Sequence, residues 1–320
     1  MFTLTVVQHN VLHWQTRRHE LNNMYRQYDP DVILLSSHGC TDIQNIKIYP
    51  YKVHQKNPTQ AAADGVAIAV KPNIKHTVIN NFTEGLIAVK IYTDQGPLIL
   101  ATIYLPPRRP YVPVADILSL LRHNIPIYLM GDFNARHQAF GYGDSGPVGR
   151  RLINLINRHN MKHIGPDFPT YITATCATTP DLVLGNHLAY HNIHLKQGDI
   201  STSDHLPIIA RISSNPIQIP VQPRLNYNNA NWEGFKEHLA QTPPTPPIPN
   251  DSSTHFIDLV TEQWFNDIQA ATAANIPTIN FKTLPYYKDN HLLKMLKIQY
   301  VALQEHAHRN GWNIDTTMSM

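Results

Sequence analysis

The sequence predicts an α/β fold in which two packed sheets are flanked by helices, with a helical extension at the C-terminal end. Three observations carry that expectation. Short apolar strands alternate with helical stripes through the first two-thirds of the chain. Some of those strands are continuously apolar, as strands covered on both faces are. The composition then changes abruptly after Ile212.

The elements follow in order. Leu4, Val6 and Gln8 face one way in a strand ending at His9-Asn10. Leu21, Met24, Tyr25 and Tyr28 recur at helical spacing, with Thr16 available as a cap. Residues 32–35 make a buried strand. Val66, Ile68 and Val70 alternate, as do Ile87, Val89 and Ile91, and residues 98–103 continue the series. Val114, Ile117, Leu118 and Leu121 form a helix stripe, and residues 125–130 a second buried strand running into Gly131-Asp132. A helix through Leu152, Ile153 and Ile156 follows, and strands at 182–184 and 206–212 close the set. One α/β domain is therefore expected over 1–212. Residues 213–250 carry Pro216, Pro220, Pro223 and five further prolines from Pro243 to Pro249, the composition of an extended linker. Residues 251–320 read as a helical segment, with one stripe through Phe256, Leu259, Val260, Trp264 and Ile268 and another through Leu293, Leu296, Tyr300 and Leu303.

Composition bounds the function. A 42% hydrophobic fraction suffices for a buried core, and 15% charged residues is too few for a disordered chain. A formal charge of +3 permits nucleic-acid contact without a strong basic footprint. The 19 histidines lack metal-finger spacing. Two cysteines, Cys40 and Cys176, exclude a disulfide framework and a Cys-rich zinc site, and point to a reducing compartment. There is no basic-then-apolar leader and no apolar run near the ~20 residues of a membrane helix. A soluble, intracellular protein without membrane contact is expected.

Two motifs carry chemistry. Gly131-Asp132-Phe133-Asn134 ends a buried strand, so a carboxylate and an amide two residues apart point into one crevice. The pairing suits a water-activating base beside a hydrogen-bond donor to a phosphoryl oxygen, and equally a turn that satisfies its own backbone. Ser203-Asp204-His205-Leu206-Pro207 sets a potential metal ligand beside an imidazole able to contact phosphate, or forms a turn with a chance histidine. Two positions depend on context. Asp181 opens a strand, where it could orient a histidine or simply face water. Tyr104, before Leu105-Pro106-Pro107, is a phenol at a strand end, a phosphate donor or a core-edge tyrosine.

The order of these motifs is more specific than any one of them. Asn10, Tyr-x-Pro-Pro, Gly-Asp-Phe-Asn, Pro-Asp-Leu and Ser-Asp-His succeed one another over about 200 residues. In this the chain resembles the endonuclease domain of jockey-like arthropod non-LTR retrotransposons, a branch of the apurinic/apyrimidinic-endonuclease-like family. The resemblance covers residues 1 to roughly 212. It implies a four-layered α/β-sandwich with two central mixed sheets and a Mg²⁺ or Mn²⁺ ion at their shared edge. By position, Asp132 would activate water and Asn134 would hold the phosphate. His205 would stabilise the transition state, oriented by Asp181. Asp204 would bind metal, Asn10 would support the metal site, and Tyr104 would contact phosphate. Arg108, Arg109, Arg136 and His137 could meet the DNA backbone, in a sequence-independent way, unless they are simply solvated.

One departure stands out. After the strand at 32–35 the family has Gln-Glu-Thr, whose Glu is a metal ligand, whereas this chain has Ser36-Ser37-His38. Ser37 is a neutral, weak ligand. Either Asp132, Asn134 and Asp204 hold the ion, or His38 or Asp42 compensates, or the copy is impaired. The expected function is metal-dependent nicking of double-stranded DNA to expose a 3′-hydroxyl for reverse transcription. A reverse transcriptase domain and the element's RNA would be partners in the full-length protein, and the nucleus the place of action after cytoplasmic synthesis. The alternatives are a repair nuclease or phosphatase on the same fold, or a catalytically impaired nucleic-acid-binding remnant.

Overall fold

The computed structural model describes residues 4–41, 43–57, 64–82, 85–107, 111–173, 176–189, 193–220, 225–242 and 254–278. Its first half runs β1 (Leu4–Asn10), α1 (Trp14–Tyr28), β2 (Val32–Ser36), β3 (Lys52–Lys56), β4 (Val66–Val70), β5 (His76–Ile79), β6 (Leu86–Ile91) and β7 (Leu98–Tyr104). There follow α2 (Val114–Leu121), β8 (Ile127–Asp132), α3 (Pro147–Arg158), β9 (Met161–Gly165), β10 (Tyr171–Ile172) and β11 (Ala177–Thr178). Then come β12 (Asp181–Asn186), β13 (Ile193–Gln197) and β14 (Ile208–Ile212), with α4 (Trp232–Gln241) and α5 (Thr254–Asn275) last.

Two six-stranded sheets result, in the orders β13-β14-β1-β2-β4-β3 and β5-β6-β7-β8-β12-β9. Each has one parallel pair at its centre, β1–β2 and β7–β8, and antiparallel neighbours around it. Both parallel pairs are joined by a helical crossover, α1 and α2, as parallel strands require. Three apolar layers account for the stacking. Leu4, Val6, Leu34 and Ile68 of the first sheet meet Val89, Leu100, Met130 and Val183 of the second. On the outside, α1 packs through Trp14, Leu21 and Tyr25 on Val7, Ile33 and Ala67. On the other outer face, Ile117, Leu152 and Ile156 cover Ile99, Leu129 and Leu184. The four-layered sandwich expected from the sequence is the fold observed.

The alternation at 66–70 has a different cause from the one usually inferred. Every residue of β4 is buried: Val66, Ile68 and Val70 face the other sheet, while Ala67 and Ala69 lie under α1. Large and small apolar residues alternate because both faces are covered and the helix must approach closely. Thr16 does not cap α1, which begins two residues earlier. His13 occupies the cap position without a side-chain bond, and the Thr16 hydroxyl donates to the His13 carbonyl. In α2 the buried stripe is Ile117 and Leu120, and Val114 is exposed.

By contacts the chain divides into two compact units, one running to Ile219 and the other spanning Pro220–Lys288. The first extends past Ile212: Asn215 Nδ2 donates to Asp94 Oδ2 at 2.8 Å, Ile217 N to the Tyr92 carbonyl at 2.8 Å and Ile219 N to the Asn73 carbonyl at 2.7 Å. In the second unit α4 packs on α5, so the stretch read as a linker contains a helix. Its start is set by Asn231, whose Oδ1 accepts from Gly234 N at 3.0 Å. Within α5 only Val260 and Ala271 are buried, and Leu259 and Trp264 of the expected stripe are exposed. The stripe from Leu293 to Leu303 lies outside the described residues. No described helix is long and apolar enough to cross a membrane.

Candidate active site

β1, β7 and β8 end, and the antiparallel β12 begins, at one edge of the sandwich, and the residues there, Asn10, Tyr104, Asp132 and Asp181, are polar. Strand register explains the convergence. Tyr104 lies opposite Asp132 across β7–β8, and Asp181 opposite Asp132 across β8–β12. Gly131 permits that approach. It has a φ of +146°, and a Cβ there would sit 2.0 Å from the Ile103 carbonyl oxygen, so no other residue allows β8 to lie so close to β7. Asn134 takes a left-handed φ of +44°, a conformation that Asn tolerates, and this turns its side chain back on Asp132.

Asp132 is 2% exposed and accepts three hydrogen bonds. Its Oδ1 takes Asn134 N at 2.9 Å, and its Oδ2 takes Asn10 Nδ2 at 2.9 Å and Asn134 Nδ2 at 3.0 Å. Burial, followed by the charge of Asp181, nonetheless pushes its carboxyl up to about 7, against the opposing pull of His205 and of these donors. A carboxylate that exchanges its proton near neutrality is suited to general-base work.

His205 Nδ1 lies 2.6 Å from Asp181 Oδ2, leaving Nε2 on the cleft side, 3.4 Å from Asn10 Nδ2. Burial opposes the imidazolium, but the Asp181 carboxylate overrides it and raises His205 to about 9. Burial likewise opposes ionisation of Asp181. The His205 charge and bonds from His205, Thr170 and Gln8 outweigh it and hold the carboxyl below its ordinary range. Thr170 Oγ1 donates to Asp181 Oδ2 at 2.7 Å, and Gln8 Nε2 to Oδ1 at 3.1 Å. The Tyr171 ring packs edge-on against His205, with centroids 5.0 Å apart. Ser203 Oγ donates to the Asn10 carbonyl at 2.7 Å and accepts from His205 N at 3.3 Å, tying the Ser-Asp-His turn to β1.

These groups floor a cleft of about 700 Å³ whose lining includes Asn10, Ser37, Tyr104, Asp132, Asn134, Arg136, Asp204 and His205. The structure thus brings together eight of the twelve site residues named from the sequence, and Asp181 stands directly behind His205. His137 is not among the cleft-lining residues; its Nδ1 accepts from Ala139 N at 3.1 Å and its ring packs on Phe140. Arg136 lies at the cleft but is already in a bidentate pair with Asp144, at 2.5 and 2.6 Å. Arg108, Arg109 and Asp42 lie outside the described residues. His38 does not replace the missing acid, because both ring nitrogens are taken by the backbone, Nδ1 accepting from Cys40 N and Nε2 facing the Lys56 carbonyl. Thr170 and Tyr171 were missed, while Ser203 was named within its motif but given no role. Gln8 left a trace as a polar residue on the inward face of a strand otherwise apolar at Leu4 and Val6.

The donors present were tested against a hard divalent cation. Asp204 Oδ1 is buried with no hydrogen-bond partner, which fits an oxygen reserved for a ligand. Asn10 Oδ1 accepts from Leu12 N at 3.1 Å, so its amide nitrogen turns toward Asp132 Oδ2, to which it donates at 2.9 Å. Ser37, buried with a φ of +55°, adds no charge. Among the described residues no three His, Cys, Asp or Glu side chains cluster as a metal site. The set fits a cation bound through few charges, and therefore weakly.

Residues 98–209 match the endonuclease–reverse transcriptase family. The chain is 26% identical, over 98% of its length, to a probable RNA-directed DNA polymerase from transposon X-element of Drosophila melanogaster. It is 27% identical over 69% of its length to the RNA-directed DNA polymerase from mobile element jockey of the same organism. It spans only 36% and 25% of those two proteins. Among solved structures, the endonuclease domain of TRAS1, a telomere-specific non-LTR retrotransposon, superposes with a TM-score of 0.55 at 17% identity, over 66% of this chain and 98% of that one. The Xenopus laevis APE2 catalytic domain gives 0.54 at 16%, over 68% and 94%. At these identities the superpositions speak for the fold. The fold is thus that of these endonuclease domains, and in its ordered motifs and its match over residues 98–209 the chain is similar to the endonuclease domains of jockey-like non-LTR retrotransposons.

Proposed function

We propose that this chain cleaves one strand of double-stranded DNA by phosphodiester hydrolysis, leaving a 3′-hydroxyl from which a reverse transcriptase can extend. The observation that carries the proposal is the pairing of two oppositely tuned groups on one cleft floor: Asp132, which titrates near 7, and His205, held cationic to about 9. Between those values Asp132 is ionised and can take a proton from water. The His205 imidazolium, locked to Asp181, offers Nε2–H to the non-bridging oxygens as negative charge builds on phosphorus. Asn10 Nδ2 lies between the two, donating to Asp132 Oδ2 and standing 3.4 Å from His205 Nε2. Tyr104, on the same cleft lining, would contact the phosphate, whereas Asn134 Nδ2 already donates to Asp132 Oδ2 and to the Leu105 carbonyl and so braces the base.

A hard cation, Mg²⁺ or Mn²⁺, would be held by Asp204 with support from Asn10 and Ser37. When bound it would withdraw charge from the scissile phosphate. Arg136 could exchange Asp144 for a DNA phosphate. In a longer protein, a reverse transcriptase domain and element RNA are the fitting partners, and the nucleus the fitting place of action. The relatives' being RNA-directed DNA polymerases supports the reading of the partners.

The test is nicking of supercoiled plasmid by the full chain, in Mg²⁺ and then in Mn²⁺. Open circles that ligase can reseal, and that Asp132→Asn does not produce, are expected. Failure on intact plasmid with cleavage at abasic sites would favour a repair nuclease. Inactivity on every duplex in both metals, with DNA binding retained, would favour the impaired remnant for which Ser37 argues.

A further inference from the structure

We propose that Gln8 is a positioning residue that pins the Asp181 carboxylate from the opposite sheet and so fixes the direction of the His205 ring. The inference rests on the hydrolytic role assigned above to His205. Gln8 is fully buried on β1, in the inward row that begins with Leu4 and Val6. Its Nε2 crosses the inter-sheet layer to donate to Asp181 Oδ1 at 3.1 Å. Its Oε1 is buried and, among the described residues, accepts no hydrogen bond.

That half-spent amide is the informative feature. A buried carbonyl oxygen without a donor is a cost to the folded state, and an apolar side chain here would simply extend the core. The position therefore does not serve packing, and what Gln adds over an apolar residue is one N–H aimed at one carboxylate oxygen. Asp181 needs it. Both other donors, His205 Nδ1 at 2.6 Å and Thr170 Oγ1 at 2.7 Å, converge on Oδ2. The terminal torsion of Asp is soft, so a carboxylate held at one oxygen can swing about it. A donor on Oδ1 gives a second point of attachment. Because Gln8 belongs to the first sheet and Asp181 to the second, that bond ties the carboxylate to β1 across the inter-sheet layer.

The experiment uses the full chain with Gln8→Met, similar in length without a donor, and Gln8→Asn, whose shorter amide falls away from Asp181. The His205 Nδ1–H resonance, read by ¹H–¹⁵N NMR, is followed beside kcat and KM for plasmid nicking. Loss of the second anchor should broaden that resonance or move it from its parent position. The kcat should fall several-fold to about tenfold, with KM for DNA unchanged. An unaltered resonance and unaltered kcat in folded Gln8→Met overturns the proposal. If that variant does not fold, the same result in Gln8→Asn overturns it. Asp181→Asn separates the two levels: were it to leave His205 and nicking untouched, the role of His205 itself would fail, not only that of Gln8.

Discussion

Replacing Asp181 by Asn keeps the shape of the side chain and removes its charge, and the structure says how much that charge does. Two buried histidines provide the comparison. His9, fully enclosed between Tyr25 and the His205 carbonyl, is driven down to about 4, first by desolvation. His205 is almost as enclosed yet is raised to about 9, with Asp181 at 2.6 Å the largest opposing influence. Relative to the ordinary 6.5, the rise is worth about 3 kcal/mol in favour of the imidazolium at 1.36 kcal/mol per pH unit. Without the carboxylate only desolvation and the weaker pull of Asp132 and Asp204 remain, so the midpoint should drop to 6.5 or below. At pH 8 the protonated fraction would go from about nine-tenths to about one in thirty. Nicking at pH 8 should therefore fall at least about 30-fold, with the optimum displaced to acid pH, where Asp132 is itself protonated. Stability moves with the same sign. A raised histidine midpoint stabilises the fold fully below pH 6.5, and that contribution fades as pH rises through about 9. The Asn variant should thus lose most of its stability below pH 6.5 and approach the parent above pH 9. Nicking rates from pH 5 to 10, with melting curves at the same values, measure both. A variant that keeps an alkaline limb near pH 9 would refute the electrostatic account.

Asp132→Asn should abolish nicking and yet stabilise the domain. A carboxyl raised from 3.8 to about 7 opposes folding increasingly as pH rises between those values, so at pH 8 its neutral amide should add on the order of 2–4 kcal/mol. Calorimetry at pH 8 should show a higher Tm, and at pH 4 almost no difference. Ser37→Glu restores a carboxylate at the cleft lining and should lower the Mn²⁺ concentration needed for half-maximal binding about tenfold or more, read by electron paramagnetic resonance. Unchanged affinity would mean that position 37 does not face the cation. A chain ending at Ile219 should melt above one ending at Ile212, by about 1–3 kcal/mol for the lost bonds of Asn215, Ile217 and Ile219. Equal stability of the two would show that this segment contributes nothing.

The alternation of strands and stripes and the order of the motifs were enough, without coordinates, to determine the sandwich and the candidate catalytic residues. Both are local: an apolar period reports which face is covered, and an Asp at a strand's carboxyl end reports an exposed edge. Ser37 in place of an acid was equally legible, because it is a matter of residue identity. What only the tertiary structure decided involves pairs distant in sequence. His205 takes its charge from Asp181, 24 residues away, and Asp181 its second anchor from Gln8, 173 residues away. His38 looked available beside Ser37, yet the backbone of Cys40 and Lys56 has taken both its nitrogens. Arg136 lies four residues after Asp132 in sequence but is held by Asp144. A titrating group's state depends on burial and on neighbours across the fold. Periodicity carries neither, so the sequence could name the acids and bases while the packing of two sheets set which of them is charged.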